Sequence, residues 1–271
     1  MNILITGSSG FLGKELIAIL DENKFNLTFL GRKKNKKKNY FFCNLGNLKK
    51  LNFILKKLNP YAVINLAAEI NFIKKTKNMY KVNAYCPHII AKFCKRNKAH
   101  FIHVSTVVVN GIKKVYSKRT DFNPENHYGK SKLRGDILIK RTNCKYTILR
   151  FGGIYGKNGP IHLGINKFIN LALKGKKIIF NGNKKSLRNY IFVRDAAKVI
   201  LHCLQHKKYG IFYVGGETLS FESMLKKITK ILTKKDNTLW LNNKKKLDNQ
   251  IIKGDKILKY TSFAKSLKMI K

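Results

Sequence analysis

Acidic residues are scarce in this 271-residue chain, which has 13 Asp and Glu against 57 Lys and Arg and a formal net charge of +44 at pH 7. Taken alone, this excess points to nucleic acid or an anionic surface as the partner. Only eight of the basic residues are arginine, however, and the lysines are spread along the whole chain. Because helix-turn-helix, zinc-finger and RNA-binding patterns are also absent from the sequence, we expect a solvated lysine-rich surface, no specific nucleic-acid partner, and non-specific binding of polyanions at low salt.

Cysteine and long apolar runs are scarce as well. The five cysteines are scattered without a CxxC pair, which argues against a disulfide framework and against a zinc site, so we expect reduced thiols and no metal. No stretch reaches the roughly 18 to 20 apolar residues that a membrane span requires, and the chain begins with the strand-like "NILIT" rather than with a leader. We therefore expect a cytoplasmic protein without membrane insertion.

The sequence does contain a regular alternation of short β-branched runs with helical periodicity. Strand-like runs are "NILIT", "NLTFL", "YFFC", "AVINLAA", "AHFIHVS" and "YTILRF", and helical segments are predicted over 11–22, 47–58, 78–98 and around Tyr128. This βαβ order predicts the α/β class, with a doubly wound parallel sheet of the Rossmann type. We expect a dinucleotide-binding domain over 1–151. Residues 152–271, opened by the glycine-rich loop "GGIYGKNGPIHLG", are expected to form a small C-terminal substrate-binding lobe interleaved with the last Rossmann elements.

Three glycines follow the first strand directly in "TGSSGFLG". Gly7 suits a tight turn, Gly10 leaves room for a pyrophosphate to approach the backbone, and Gly13 allows the following helix to pack closely. The N-terminus of that helix supplies amide donors and the positive end of the helix dipole. In the first turn of a βαβ chain, this pattern predicts a dinucleotide site.

The residues beyond the second strand favour NADP over NAD. An acidic side chain at this position binds the ribose hydroxyls of NAD, whereas a basic one binds the 2′-phosphate of NADP. The sequence has no Asp or Glu between Glu22 and Glu69, and Arg32 stands directly after the strand, followed by lysines at 33, 34 and 36–38. The planar guanidinium of Arg32 is suited to pair with a phosphate.

Tyr128 and Lys132 stand four residues apart in the predicted helix of "NHYGKSKLRGD", so their side chains share one helix face. A phenol has a pKa near about 10, which makes it a poor base at neutral pH. Because a neighbouring ammonium favours phenolate, we expect Lys132 to lower the pKa of Tyr128 and also to bind nicotinamide ribose hydroxyls. Ser105 and Thr106, at the end of the preceding strand, supply hydroxyls that could fix a substrate oxygen.

The motifs "TGSSGFLG", "VINLAAE", "HVSTVVVNG", "HYGKSK" and "LRFGGIYG" resemble, in order and spacing, those of the extended short-chain dehydrogenase/reductase superfamily. The resemblance covers nearly the whole chain. It implies that Thr106, or failing that Ser105, holds the substrate oxygen, that Tyr128 is the proton donor or acceptor, and that Lys132 activates it. The implied dinucleotide contacts are Gly7, Ser9, Gly10, Phe11, Leu12, Gly13, Arg32, Asn44, Leu45, Ala67, Ala68, Asn83, Tyr128 and Lys132. Asn44 stands where the superfamily usually has aspartate.

The same resemblance implies a nucleotide-linked sugar as substrate. It places Arg188 on the diphosphate and gives structural roles to Arg194 and Asp195. Dehydratases of the superfamily follow their threonine with an Asp-Glu pair, where this chain has Val107 and Val108, which cannot exchange protons. We therefore expect an NADP-dependent reductase of a keto sugar. A 4-epimerase that retains NAD is the alternative.

Two further hypotheses concern partners. The resemblance implies a homodimer in which the 78–98 helix and the Tyr128 helix pack against their copies, with Lys81, Lys92, Lys130 and Lys140 opposing the contact through like-charge repulsion. An alternative of another class is a non-catalytic protein that senses a dinucleotide or binds polyanions. Such a protein would be expected to lack Tyr128 or Lys132, and both are present.

Overall fold

The structure of the chain is a computed structural model that describes residues 2–32, 39–233, 237–241 and 245–271. The strands in these ranges are β1 Asn2–Thr6, β2 Asn26–Gly31, β3 Tyr40–Phe42, β4 Ala62–Asn65, β5 His100–Thr106, β6 Val115–Tyr116, β7 Tyr146–Phe151, β8 Gly153–Tyr155, β9 Ile178–Asn181, β10 Leu187–Phe192, β11 Gly210–Val214, β12 Thr218–Ser220, β13 Thr238–Leu241 and β14 Ile251–Ile252. The α-helices are α1 Phe11–Glu22, α2 Leu48–Leu58, α3 Cys86–Arg96, α4 His127–Arg141, α5 Gly164–Leu173, α6 Val193–Gln205, α7 Phe221–Leu232 and α8 Phe263–Ile270. The lysines at 33, 34 and 36–38 lie outside the described residues.

The largest sheet has the strand order β3-β2-β1-β4-β5-β7-β11. β1 pairs in parallel with both β2 and β4, β2 pairs in parallel with β3, and β4 with β5. The order reverses at β1, because β2 and β3 extend to one side of it and β4 and later strands to the other. Such a reversal is the place where doubly wound sheets bind ligands, beyond the carboxyl ends of the strands. The predicted parallel Rossmann-type sheet is confirmed.

The strands at the centre of this sheet are buried on both faces. The Ile3, Leu4 and Ile5 side chains are fully buried, as a parallel sheet covered by helices on both sides requires. Helix α2 packs an apolar stripe that includes Leu51 and Leu55 against the core and leaves its lysines exposed. The five cysteines are all buried.

The chain divides by its contacts into two compact units. The first comprises Met1–Ile112, Asp121–Arg150 and Ala197–Phe212, and it carries β1 to β5 and α1 to α4. The second comprises Lys113–Thr120, Phe151–Ala196 and Tyr213–Lys271, with a three-stranded sheet in the order β12-β10-β8 and two parallel pairs, β13-β9 and β14-β6. Within the described ranges, every helix is too short or too polar to span a bilayer.

Two segments differ from their predicted form. The helical segment predicted over 78–98 contains a π-helical turn, Lys81–Tyr85, ahead of α3. Pro87 in the first turn of α3 has no N–H for the α-helical ladder, and the amide of Cys86 donates five residues back to Lys81. The predicted glycine-rich loop after Phe151 contains β8, where Gly153 packs so closely on Tyr190 that a Cβ would lie 2.5 Å from its ring.

Candidate active site

The turn between β1 and α1 requires glycine at two positions. Gly7 has a φ of +72°, a left-handed conformation, and a Cβ there would lie 2.7 Å from the amide nitrogen of Ala67. A Cβ on Gly13 would lie 2.3 Å from the carbonyl oxygen of Gly7. The roles predicted for Gly7 in the turn and for Gly13 in close helix packing are therefore both seen.

The N-terminus of α1 offers backbone donors to an anion. Gly10 is the N-cap residue, α1 begins at Phe11, and no side-chain hydrogen bond caps this end among the described residues. The first-turn amides are thus open to a ligand, and the helix dipole favours negative charge there. Gly10 is exposed and has no side chain to block the approach. The turn fits the pyrophosphate of a dinucleotide.

The other residues expected at the dinucleotide follow the carboxyl ends of neighbouring parallel strands. They are Ser9, Phe11 and Leu12 in the first turn, Arg32 after β2, Asn44 and Leu45 after β3, and Ala67 and Ala68 after β4. Arg32, Asn44 and Ala68 are exposed, whereas Leu45 is buried. These positions share one edge of the sheet, which is the edge where doubly wound folds bind their ligands.

Asn83 ties the segment after β4 to α4. It lies in the π-helical turn and is fully buried. Its amide nitrogen donates to the carbonyl oxygen of Glu69 (2.8 Å) and to Oγ of Ser131 (3.0 Å), and its amide oxygen accepts from the N–H of Glu69 (2.8 Å). Ser131 donates in turn to the carbonyl oxygen of Tyr128 (2.7 Å). Asn83 therefore supports the backbone on both sides of the candidate site.

Helix α4 presents Tyr128, Lys132 and Asp136 on one face, because residues four apart on a helix are neighbours. All three are buried, with 9%, 1% and 2% of their surface exposed. The helix packs closely on the π-helical turn, since a Cβ on Gly135 would lie 2.3 Å from the carbonyl oxygen of Asn83.

The Lys132 side chain is directed at β5. Its Nζ lies 2.8 Å from the carbonyl oxygen of Val104 and 3.0 Å from Nε2 of His103. Burial lowers the pKa of Lys132 to about 8, although the charge of Asp136 acts in the opposite direction. An ammonium group has three N–H donors. Two are directed at β5, which leaves one for an acceptor such as a ribose hydroxyl.

Asp136 is a buried carboxylate with three donors on one oxygen. Its Oδ2 accepts from Nε and Nη2 of Arg150, both at 3.0 Å, and from Oγ of Ser105 at 3.0 Å. Burial raises the pKa of Asp136, while the charges of Arg150 and Lys132 oppose that rise. The hydroxyl proton of Ser105 is thus already used inside the protein.

The expected effect of Lys132 on Tyr128 is wrong for this structure. Burial raises the pKa of Tyr128 above its usual value, and the charge of Asp136 raises it further. The Tyr128 ring is covered by Phe72, edge to face, with the ring centroids 5.3 Å apart. Lys132 is drawn toward β5 instead, as its contacts with Val104 and His103 show. Tyr128 therefore keeps its proton at neutral pH, as a proton donor must.

Thr106 ends β5 and is half-buried. Its Oγ1 accepts from the N–H of Val108 at 3.2 Å, so its own O–H remains to be donated. Val107 and Val108 form the 3₁₀ turn that follows, and neither can carry a proton. The strand end thus offers one hydroxyl and no acid.

Arg188 lies on β10, in the second unit. Its Nη2 is 2.6 Å from Oδ2 of Asp248, and its guanidinium carbon is 5.0 Å from the centre of the Phe221 ring. The cation is therefore paired within its own unit. Asp195 accepts from the N–H (2.7 Å) and the hydroxyl (2.9 Å) of Thr261, which confirms the structural role predicted for Asp195.

Sequence reasoning missed the buried polar residues that are linked to Lys132 by hydrogen bonds. Thr6 and Asn65 are fully buried at the carboxyl ends of β1 and β4, and His103 is fully buried within β5. Their signal is a polar side chain inside an otherwise apolar strand, since such a group has to find a hydrogen-bond partner. Asp136 had a stronger signal, because it is one of only 13 acidic residues and stands four positions after Lys132.

A glycine turn after β1, at the reversal of strand order in a parallel sheet, is a feature of a Rossmann-type α/β protein. Comparison with known families narrows this class. The chain belongs to the RmlD substrate binding domain family, which matches residues 1–238. The resemblance to nucleotide-sugar enzymes of the extended short-chain dehydrogenase/reductase superfamily is thereby confirmed.

Two curated relatives act on nucleotide-linked sugars by name. The dTDP-D-glucose 4,6-dehydratase of Dictyostelium discoideum is 29% identical over 252 residues, and the match covers 78% of this chain and 57% of that protein. The chain thus spans less than two thirds of this relative. The dTDP-4-dehydrorhamnose reductase of Aggregatibacter actinomycetemcomitans is 27% identical over 228 residues, covering 79% of this chain and 73% of that protein.

A solved structure with the same fold is the dTDP-4-dehydrorhamnose reductase of Bacillus anthracis in complex with NADP. Its TM-score with this chain is 0.81 at 22% identity, and the superposition covers 99% of this chain and 98% of that one. At this identity the likeness establishes the fold.

Proposed function

We propose that this chain is an NADP-dependent oxidoreductase that reduces a keto group of a nucleotide-linked sugar, with Tyr128 as the proton donor. The observation that carries the proposal is the buried Tyr128 and Lys132 pair on one face of α4. Lys132 joins that face to β5, the strand that ends in Thr106. The match to the RmlD substrate binding domain family and the similarity to a curated dTDP-4-dehydrorhamnose reductase support this proposal.

The residues around the first turn fit the proposed cofactor. NADPH, when bound, supplies a hydride. The turn of Gly7, Gly10 and Gly13 would hold its pyrophosphate, because the uncapped N-terminus of α1 offers amide donors and the positive end of the helix dipole there. Arg32, exposed directly after β2, would hold its 2′-phosphate.

Reduction of a ketone also needs one proton on the carbonyl oxygen. Tyr128 holds such a proton at neutral pH, because burial and the charge of Asp136 raise its pKa. The O–H of Thr106, which has no acceptor among the described residues, would orient the same oxygen. Tyr128 would give its phenol proton to that oxygen, and the reduced product would be a secondary alcohol. Lys132, with two N–H groups directed at β5, would use its third to bind a hydroxyl of the nicotinamide ribose.

Arg188 is the residue we propose for the substrate diphosphate. In the described structure it is paired with Asp248, whose side chain is 54% exposed. A diphosphate offers the guanidinium the same charge-assisted, bidentate bonding as a carboxylate does. Since Asp248 is largely solvated, a diphosphate can displace it without leaving a buried charge unpaired.

The test is a panel assay. The purified chain is incubated with NADPH and with 4-keto-6-deoxy sugars linked to dTDP, UDP or GDP, while absorbance at the nicotinamide band is recorded against a sample without sugar. We expect one sugar to consume NADPH, and NADH to be used less well. Interconversion of nucleotide sugars without loss of dinucleotide would favour a 4-epimerase instead. Absence of both reactions, with no binding of NADPH, would contradict the proposal.

A further inference from the structure

Lys132 is one end of a buried chain of hydrogen bonds that the proposed reaction does not itself require. Its Nζ lies 3.0 Å from Nε2 of His103, and Nδ1 of His103 lies 3.0 Å from the side-chain amide of Asn65. The hydroxyl of Thr6 donates to Oδ1 of Asn65 at 2.5 Å, and Thr6 Oγ1 accepts from the N–H of Ala67 at 3.3 Å. These hydrogen bonds thus link α4 to β5, β4 and β1.

This series of hydrogen-bonded side chains is closed to solvent. Thr6, Asn65 and His103 are 0% exposed, and Lys132 is 1% exposed. A buried polar group has to be satisfied inside the protein, because an unpaired donor or acceptor costs the free energy of its lost hydration. The positions of the four side chains are therefore coupled to one another.

The His103 ring is neutral. Burial lowers its pKa well below the usual value of 6.5, and the charge of Lys132 lowers it further. A neutral imidazole has one N–H and one lone pair, so each ring nitrogen can play only one role at a time. If Nε2 accepts from Lys132, Nδ1 therefore has to donate to Asn65, and if Nε2 donates, Nδ1 has to accept.

Two arrangements of protons keep these side chains in contact. When Lys132 is a neutral amine, it accepts from Nε2–H, and Nδ1 accepts from the amide nitrogen of Asn65, whose oxygen accepts from Thr6; this is the orientation of Asn65 in the described structure. When Lys132 is an ammonium, it donates to Nε2, the ring proton is on Nδ1, and Asn65 accepts that proton through its amide oxygen while its amide nitrogen donates to Oγ1 of Thr6. The two differ by a proton on Lys132, by the tautomer of His103 and by a half-turn of the Asn65 amide.

Other ionisable groups face this pair from every element packed on it. Tyr128 and Asp136 lie on α4 with Lys132, and Asp136 Oδ1 is 4.0 Å from Nε2 of His103. Cys86 approaches Lys132 from the start of α3, where burial raises the pKa of its thiol and keeps it neutral. Arg150, on β7, balances Asp136. Burial lowers the pKa of Lys132 to about 8, so its charge changes close to neutral pH.

We propose that His103 is a positioning residue for Lys132: its ring fixes Nζ between β5 and the candidate site, and its tautomer follows the charge of Lys132. The proposal rests on the function proposed above, in which Lys132 binds the nicotinamide ribose. With two N–H groups of Lys132 directed at His103 and Val104, the third points in one defined direction. Loss of the His103 acceptor leaves the ammonium free to turn.

Two substitutions at one position separate this role from simple packing. In His103→Gln, the amide reaches the position of Nε2 and keeps an acceptor for Lys132. In His103→Asn, the shorter amide reaches the position of Nδ1 and keeps only the contact with Asn65. We expect NADPH to bind His103→Gln nearly as it binds the unchanged protein, and His103→Asn about tenfold more weakly, the effect of losing a hydrogen bond to a charged group. Equal weakening in both variants would overturn the proposal.

A spectroscopic measurement judges the proposal without any turnover. The ¹⁵N shifts of the imidazole nitrogens distinguish the two tautomers, and the His103 signal is identified by its loss in His103→Gln. We expect the ring proton on Nδ1 below the pKa of Lys132, which is about 8, and on Nε2 above it, with no such change in Lys132→Met. A ring that becomes charged near its ordinary pKa of about 6.5, or a tautomer indifferent to both pH and Lys132→Met, would refute it. If the ring behaves as expected but NADPH does not bind, the proposed function fails and the assignment of His103 stands.

Discussion

Tyr128, Lys132 and His103 have their pKa values moved by the same cause, which is burial. Because burial always disfavours the charged form, it raises the pKa of the phenol and lowers those of the amine and the imidazole. The result is a phenol that keeps its proton, an imidazole that stays neutral, and an amine that titrates near pH 8. These are the states that a proton donor and its supporting groups need at neutral pH.

Because two histidines are buried, we expect the free energy of unfolding to decrease in acid. Burial lowers the pKa of His100 to about 4 and that of His103 well below 6.5, so both stay neutral in the folded chain while the unfolded chain protonates below about 6.5. The unfolded state then binds more protons than the folded state. The free energy of unfolding therefore decreases as the pH is lowered, by about 2 kcal/mol per histidine at pH 5 relative to neutral pH. Above about pH 6.5 both states of the chain hold neutral histidines, and this stability is fully present.

Urea unfolding at neutral pH and at about pH 5 measures this loss. The variant His100→Asn should show a smaller pH dependence than the unchanged protein, whatever its stability at neutral pH. The variant His127→Asn, at a half-buried position, is the control and should keep it. An unchanged pH dependence in His100→Asn would show that His100 is not buried as described.

We expect the single side chain of Arg32 to set the preference for NADPH over NADH. The Arg32→Asp variant removes the cation proposed for the 2′-phosphate and supplies a carboxylate suited to ribose hydroxyls. We expect binding of NADPH to weaken by about tenfold or more and that of NADH to be kept or improved. Fluorescence titration with both dinucleotides measures the change. Arg119→Asp, at another exposed arginine, should leave both affinities unchanged, and an equal fall in both for Arg32→Asp would contradict the assignment.

At the scale of elements, the contact between α4 and the π-helical turn positions the candidate site. Asn83 in that turn holds the backbone of Glu69 and the side chain of Ser131. The two elements approach so closely that position 135 has no room for a side chain, because its Cβ would lie 2.3 Å from the carbonyl oxygen of Asn83. Any change in that distance moves Tyr128 and Lys132 relative to the strand ends.

The Gly135→Ala variant should force the two elements apart. Overpacking of this kind costs about 1 to 3 kcal/mol in the free energy of unfolding, and turnover should fall as well because α4 moves. Gly164→Ala is the matched control, since its Cβ would meet nothing closer than a ring carbon of Phe168 at 3.8 Å. Urea unfolding of both variants checks this. Equal stability of the two would show that α4 is not packed as described.

Local patterns in the sequence predicted the elements well. Periodicity identified β1, α1 and α2 nearly to the residue, and the glycine spacing predicted the turn at Gly7 and Gly13, because strict steric rules govern such turns. The predicted shift of the Tyr128 pKa was wrong, because the pKa is raised rather than lowered. Helix spacing shows that Lys132 shares a face with Tyr128 but not that His103, 29 positions away, draws its amine toward β5. Tertiary contacts of this kind are not encoded in local spacing.

At the scale of the whole molecule, the net charge of +44 governs association. We propose a homodimer through α3 and α4, as the superfamily resemblance implies. Lys92 on α3 and Lys130 and Lys140 on α4 are all exposed. In two copies these lysines would repel one another, and salt screens such repulsion over a Debye length of about 10 Å at 0.1 M.

Added salt should therefore strengthen the dimer rather than weaken it. Sedimentation equilibrium at low and high salt should give a smaller dissociation constant at high salt, and Lys92→Glu should tighten the dimer at low salt by removing repulsion. Lys56→Glu, an equal change of charge on an exposed residue of α2, is the control and should have a smaller effect. A monomer at every salt and protein concentration would contradict the proposed dimer.

We propose that Tyr128 donates the proton that completes the reduction. The most direct measurement compares turnover and NADPH binding in Tyr128→Phe with those in Tyr61→Phe, which changes an exposed tyrosine before β4. We predict that Tyr128→Phe lowers kcat by about 10²- to 10⁴-fold, the usual contribution of a positioned acid, with the NADPH dissociation constant unchanged, and that Tyr61→Phe alters neither. Full turnover in Tyr128→Phe would contradict the account.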